Sequence, residues 1–317
     1  MNASHLTSHR LNNALHATLL LGGMAGLLAV IGWVINGATG VLWTGAVGLI
    51  ALLLTPRISP ALILRMYRAR PLAYEEVGGL YDLVNRLATA AQLSHAPRLY
   101  YVPTQLMNAF SVGRRHEAAI AVTDGLLRGL SAREMTAVMA HEISHIGHND
   151  MWIMSLADGV SRMVRVLSFI GQVLILINLP MFLLQYHTLP WAPLLLLVFA
   201  PTLSALLQLA LSRNREFDAD LEAVRLTGDS QGLAQALQKL SLHQERMWRH
   251  LLLPGRQNKQ PSLLRTHPSS RERISRLQAL EPTVEPFMAG GLPSHFLPAQ
   301  WAVPLQAPRH RWSGLWY

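Results

Sequence analysis

Two long stretches of this chain carry no formal charge, and they limit what it can fold into more than any other feature. Residues 11–56 contain no Asp, Glu, Lys or Arg, and neither do residues 166–212. The gaps are 46 and 47 residues long. A helix needs about 20 apolar residues to cross the hydrocarbon core of a bilayer, so each gap has room for two crossings and a short turn. Each gap is therefore read as a transmembrane helical hairpin, giving four spans. Soluble domains carry about a quarter charged residues. This chain of 317 residues has 14%, and half of it is hydrophobic.

In the first gap, apolar runs at 17–35 and 41–54 flank Asn36, Gly37, Ala38, Thr39 and Gly40. Trp33 and Trp43 stand near that turn, where interfacial aromatics belong. A cleaved signal peptide with Arg10 as its basic flank is the competing reading. The second apolar run argues against it, because a polar mature chain should begin there. In the second gap the spans fall at 166–184 and 191–212. Pro180, Pro190, Pro193 and Pro201 interrupt them. A buried helical pair in a soluble core is the alternative there, although membrane helices tolerate proline.

The turns at 36–40 and 185–190 hold no Lys or Arg. Arg10, Arg57, Arg65, Arg68, Arg70, Arg162, Arg165, Arg213 and Arg215 all lie on the other side of a four-span arrangement. Basic residues are retained in the cytoplasm, so both polar segments, 57–165 and 213–280, and the tail at 281–317 are expected there. The net charge of +9 is nearly all arginine. Arginines beside apolar runs suit a lipid bilayer rather than nucleic acid. With no cysteine, disulfides, thiolate metal sites and cysteine nucleophiles are excluded.

The polar segments read as mainly α with a small β-sheet. Leu80, Leu83, Leu87 and Ala91 share one face of a helix over 73–92. Residues 97–103 read as a strand, and 108–113 with 118–123 as a hairpin turning at 114–117. Ser131 and Glu134 form a capping box, which starts a helix near Ala132. A polar helix should grow out of the fourth span and continue past Glu222, with further helices at 230–250 and 269–280. The tail beyond Glu281 is rich in Pro, Gly and Trp and lacks periodicity.

The helix from Ala132 carries His141, Glu142, Ile143, Ser144 and His145, an H-E-x-x-H pattern. Residues four apart share a helical face, so two imidazoles converge on one ion. Glu142 stands beside the first ligand, where it can take a proton from water activated by the metal. With 14 His and 11 Glu in the chain, roughly 0.02 such patterns arise by chance. A catalytic zinc needs a third protein ligand and an open position. Glu216, with Asp220 one turn on, offers a ligand and a carboxylate to fix a histidine tautomer. Taken alone, the same two residues also read as an acidic helix face balanced by Arg213 and Arg215.

Several motifs in order now carry a resemblance. They are Asn108, Ala109, Phe110, Ser111, Val112 and Gly113; the H-E-x-x-H pattern followed by Asp150; Arg215, Glu216, Phe217, Asp218, Ala219 and Asp220; and Thr266, His267 and Pro268 with Arg273. The chain resembles the HtpX-type zinc metalloproteases, in the wider family that includes the CAAX prenyl endopeptidase. The likeness spans roughly residues 15–280, and hydrophobic hairpins stand before and between the motifs as in that family. It implies a gluzincin-type, zincin-like catalytic domain facing the cytoplasm of a bacterial inner membrane, with one zinc ion per chain. It implies His141, His145 and Glu216 as ligands, Glu142 as general base, and Asp150 and Asp220 as supporting carboxylates. It implies residues 108–113 as an edge strand that holds extended substrate, His267 as an oxyanion donor and Arg273 as its support. Membrane or misfolded proteins are the implied substrates, in protein quality control. The chain departs from the family in having Ser269 where a second proline often follows His267 and Pro268. His148, seven residues after His141, is read as solvated rather than as a fourth ligand, and so is His116 in the hairpin turn.

Two other classes compete. A non-catalytic membrane scaffold would keep zinc for structure, but structural sites close with four ligands, often Cys, and Glu142 would then have no task. A transporter would need ionisable groups in its spans, and these have none. Oligomeric state is not legible in the sequence.

Overall fold

The computed structural model of the protein describes residues 3–54, 60–184, 191–251 and 270–280. His267, the turn at 185–190 and the tail at 281–317 lie outside the described residues. Those described are mainly helical, with one small mixed sheet, and fall into two compact units that divide at 57/58, 151/152 and 214/215.

The first unit is made of long apolar helices. α1 (Ala3–Leu54) is two helices merged across a break at Asn36 (φ −154°, ψ 40°) and Gly37 (φ 55°). Gly37 supplies the left-handed φ that lets the chain double back. Gly32 and Gly40 then meet so closely that a side chain on either would collide with the backbone of the other. Thr44 donates its hydroxyl to the Gly40 carbonyl at 2.9 Å, which ties that hydroxyl down where water is scarce. The expected turn at 36–40 is therefore tighter than five free residues and is wound into the helices on both sides.

α6 (Asp150–Leu183) and α7 (Trp191–Thr227) form the second apolar pair. Ser161 and Ser204 share a buried hydroxyl pair at 3.0 Å. Pro201 has no N–H, so the Leu197 carbonyl one turn earlier loses its helical partner. Gln172 of α6 donates its side-chain amide to that same carbonyl at 2.8 Å. At the neighbouring position a Cβ on Gly171 would meet Leu197 Cδ1 at 2.6 Å, so the glycine admits α7 where the glutamine must reach it. The proline that weakened this span in the sequence is accommodated by a polar side chain on the partner helix. Among the described residues three helical stretches are long and apolar enough to cross a membrane: Leu15–Val34, Asp150–Ile177 and Trp191–Thr227. The return leg of α1 is described as far as Leu54.

The second unit holds the sheet. The short α2 (Pro60–Met66) leads into β1 (Arg70–Pro71), and α3 (Tyr74–Ala90) into β2 (Arg98–Val102), β3 (Ala109–Val112) and β4 (Ala119–Thr123). The strand order is β1-β2-β4-β3. β2 and β4 run parallel, while β3 pairs antiparallel with β4, with Val112 opposite Ala119. β4 is buried throughout, as a strand covered on both faces must be. Ile120 and Val122 face one core with Leu99, Leu80, Leu83 and Leu87. Ala119 and Ala121 face a second with Leu64, Tyr67, Phe110 and Val112. The hairpin turns on Arg114 and Glu117, joined at 2.8 Å. Gly113 enters it at φ +94°, where a Cβ would strike the Glu117 carbonyl.

α4 (Asp124–Gly129) and α5 (Ala132–Gly147) follow, and α8 (Ser230–Leu251) and α9 (Ser270–Gln278) complete the unit. α5 packs against α3, α8 and the edge strand β3. The capping box is present: Glu134 accepts from the Ser131 backbone N–H at 2.7 Å, and the Ser131 hydroxyl accepts from the Glu134 N–H. α2, β1 and α4 had no counterpart in the sequence reading.

Candidate metal centre

α5 is buried on every side, from Glu134 to Ile146. It nevertheless carries His141, Glu142, Ser144 and His145. Buried polar groups need partners, and these come from three other places in the chain.

The imidazoles converge as the four-residue spacing requires. His141 Nε2 and His145 Nε2 lie 3.2 Å apart. Glu216, on α7, places Oε2 3.4 Å from His141 Nε2 and Oε1 3.8 Å from His145 Nε2. One ligand atom from each of His141, His145 and Glu216 lies within 4.8 Å of the others, and all three residues are buried.

The outer nitrogen of each ring faces a carboxylate. His145 Nδ1 bonds Asp150 Oδ2 at 2.8 Å. His141 Nδ1 lies 3.1 Å from Asp220 Oδ1. Asp150 begins α6, just past the end of α5, where Asn149 takes φ +55° to turn the chain. Asp220 follows Glu216 by one helical turn, so α7 presents a ligand and a supporting carboxylate on one face.

Arg273 of α9 is 2% exposed. Its Nε and Nη2 donate to the two Asp220 oxygens at 2.7 and 2.6 Å. Its Nη1 lies 2.8 Å from Glu216 Oε2. The guanidinium thus holds ligand and supporting carboxylate together, a role the sequence reading did not give it. Support for His267 falls outside the described residues. Arg215 reads in the sequence both as charge balance for the acidic face and as the first residue of the motif ending at Asp220. Its Nη1 lies 3.3 Å from Asp150 Oδ1, placing it behind the carboxylate that orients His145.

Electrostatics follow from this crowding. Burial disfavours a charged His141, but hydrogen bonds to Asp220 and Glu216 outweigh it and raise its pKa to about 9. The carboxylates of Glu142, Asp150, Glu216 and Asp220 outnumber the guanidinium groups of Arg215 and Arg273. A proton on His141 answers part of that excess, and a divalent cation answers it better while requiring the neutral ring. At the helix start, Glu134 is held below the usual carboxylate range: burial opposes this, but Lys239 and Ser131 prevail.

The donor set fits a metal. Two ring nitrogens and a carboxylate oxygen meet at one point, and each histidine has the carboxylate partner that fixes a metal-binding tautomer. Glu142 is buried next to His141, and its charge acts on Arg273. His148 caps the C-terminus of α5, with Nδ1 3.3 Å from the Ser144 hydroxyl, and is not part of the cluster. His116 is exposed in the hairpin turn. Asn108 precedes β3, and Thr123 bridges its backbone N–H and carbonyl at 2.9 and 2.8 Å. β3 itself lies at the sheet edge, beside α5.

Residues 76–281 match Peptidase family M48. The chain is 36% identical over 293 residues to a "Protease HtpX homolog" of Kineococcus radiotolerans, covering 86% of this chain and 98% of that one. It is 34% identical over 288 residues to "Protease HtpX" of Legionella pneumophila strain Corby, covering 84% and 99%. The crystal structure of S. mikatae Ste24p is similar at 19% identity and a TM-score of 0.43, over 87% of this chain and 66% of that one. With the family match spanning the whole metal cluster and the HtpX relatives aligned almost end to end, this chain belongs to peptidase family M48 and is a membrane metalloprotease of the HtpX type.

Proposed function

We propose that the protein is a zinc-dependent endopeptidase of the gluzincin type, crossing a bacterial inner membrane four times. It cleaves membrane or misfolded proteins at the cytoplasmic face, in protein quality control. The observation that carries the zinc reading is the convergence of His141, His145 and Glu216, each histidine backed by a carboxylate. Three protein ligands of this kind, without sulfur, suit a catalytic zinc with an open position. When bound, the metal supplies Lewis acidity toward water and the scissile carbonyl.

The chain's own residues do the rest. Glu142 accepts a proton from the attacking water and passes it to the leaving amine. Asp150 and Asp220 keep the two rings oriented, and Arg273 keeps Glu216 and Asp220 in place. The free edge of β3, residues 108–113, takes an extended peptide through backbone hydrogen bonds, which demand little of its side chains. His267 is assigned to the oxyanion. Four spans follow from the two charge-free gaps, and the cytoplasmic orientation from the arginines that flank them.

The reading is tested by stripping the purified protein with a chelator and adding metals back. Cleavage of a membrane-protein substrate should disappear with the metal and return with about one zinc per chain. Full cleavage by the stripped protein would refute it.

A further inference from the structure

We propose that the outer face of α2 is a lipid-binding face, which seats the catalytic unit on the head-group region of the bilayer. The inference rests on the membrane setting of the proposed function, and it adds a partner surface on the soluble side of the chain.

α2 is apolar on both sides. Its inner face buries Leu64, with Tyr67 just beyond the helix end, against the sheet. Its outer face leaves Leu62 52% and Met66 42% exposed. Among the described residues of this unit, the other large apolar side chains so exposed are Tyr74 and Leu242. Two of the four therefore stand one turn apart on a single seven-residue helix. A short helix that must satisfy a core needs only one apolar face, so a second face implies a second apolar contact.

The surrounding charges identify the occupant. Arg65 is exposed one turn after Leu62 and beside Met66, and Arg68 and Arg70 follow, both exposed, with Arg70 also paired to Glu76 at 2.9 Å. Apolar side chains set among arginines are the mark of an interfacial helix: the apolar tips enter the acyl boundary and the guanidinium groups reach phosphate. A second protein surface would have to offer both apolar and acidic groups, whereas a phospholipid leaflet offers both at every point. The apolar run at 41–54 ends only six residues before Pro60, so a bilayer carrying that run is within reach of α2.

The face bears on the site through one contact. Tyr67 lies against Phe110 of β3, ring centroids 5.0 Å apart. A lipid contact on α2 is thus one residue layer from the edge strand assigned to substrate, and β3 would be held near the surface from which membrane substrates emerge.

The chain has no cysteine, so single-cysteine variants can be labelled without background. Leu62→Cys, Met66→Cys and Asn85→Cys, each in the full chain carrying Glu142→Gln, would bear a fluorophore in vesicles of phosphatidylethanolamine and phosphatidylglycerol. Asn85 is exposed on α3, which packs on the opposite face of the sheet. Brominated acyl chains should quench positions 62 and 66 at least about threefold more than position 85. Equal quenching at all three sites, or none at 62 and 66, overturns the proposal. Shielding of 62 and 66 from aqueous iodide without bromolipid quenching also overturns it, in favour of a protein partner. Because the Glu142→Gln background is inactive under the proposed mechanism, the result is independent of whether the protein cleaves peptides.

Discussion

Each histidine of the candidate metal centre faces a carboxylate, and what that carboxylate contributes to a bound metal can be measured directly. Asp150→Asn keeps the shape of the side chain but removes the charge that His145 Nδ1 faces at 2.8 Å. Zinc affinity, read by competition with a chromophoric chelator, should fall by about 10- to 100-fold. An unchanged affinity would mean that the carboxylate has no part in orienting the ring. The convergence of His141 and His145 was legible in the sequence because their spacing is local helical geometry. Their partners were less so. Asp150 and Asp220 could be named from motifs, but which histidine each would hold depends on where α6 and α7 start and turn. The bidentate grip of Arg273 on Asp220 spans 53 residues of sequence, and no local pattern encodes a pairing at that distance. Arg215 belongs to a motif that the sequence shows, but its reach to Asp150 spans 65 residues and is not a local pattern either.

Among the elements, those with a strong period or a cap were readable. α3 shows its Leu80, Leu83 and Leu87 stripe, and α5 its Ser131 cap. α2 and β1 are too short for a period to register, and the parallel pairing of β2 with β4 is masked because β3 intervenes in sequence. Prolines were read as a weakness of the second hairpin, and the structure supplies the reason they are tolerated. If Gln172 replaces the hydrogen bond that Pro201 cannot give, the two positions must be coupled. Gln172→Leu should destabilise the detergent-solubilised protein by about 1 kcal/mol. In a Pro201→Ala background, where the Leu197 carbonyl regains a helical partner, the same change should cost less than about half of that. Equal costs in the two backgrounds, measured by thermal unfolding, would show that the glutamine serves some other contact.

At the scale of the whole molecule, the charge-free gaps gave the membrane character, and the break at Asn36 and Gly37 falls inside the turn expected between the first two apolar runs. Orientation is open to the same single-cysteine approach: in intact spheroplasts, Thr39→Cys should react with a membrane-impermeant maleimide, while Arg114→Cys should react only after lysis. Labelling of Arg114→Cys from outside would reverse the assignment. If buried Glu142 is the base of a zinc peptidase, comparing the native chain with Glu142→Gln in lipid, with zinc content and cleavage of a membrane-protein substrate read together, separates its chemical role from metal binding. Both proteins should hold about one zinc, and the variant should lose cleavage by at least about 100-fold. Equal cleavage by two zinc-loaded proteins, or no cleavage by either, would contradict that role and leave a metal-binding scaffold in its place.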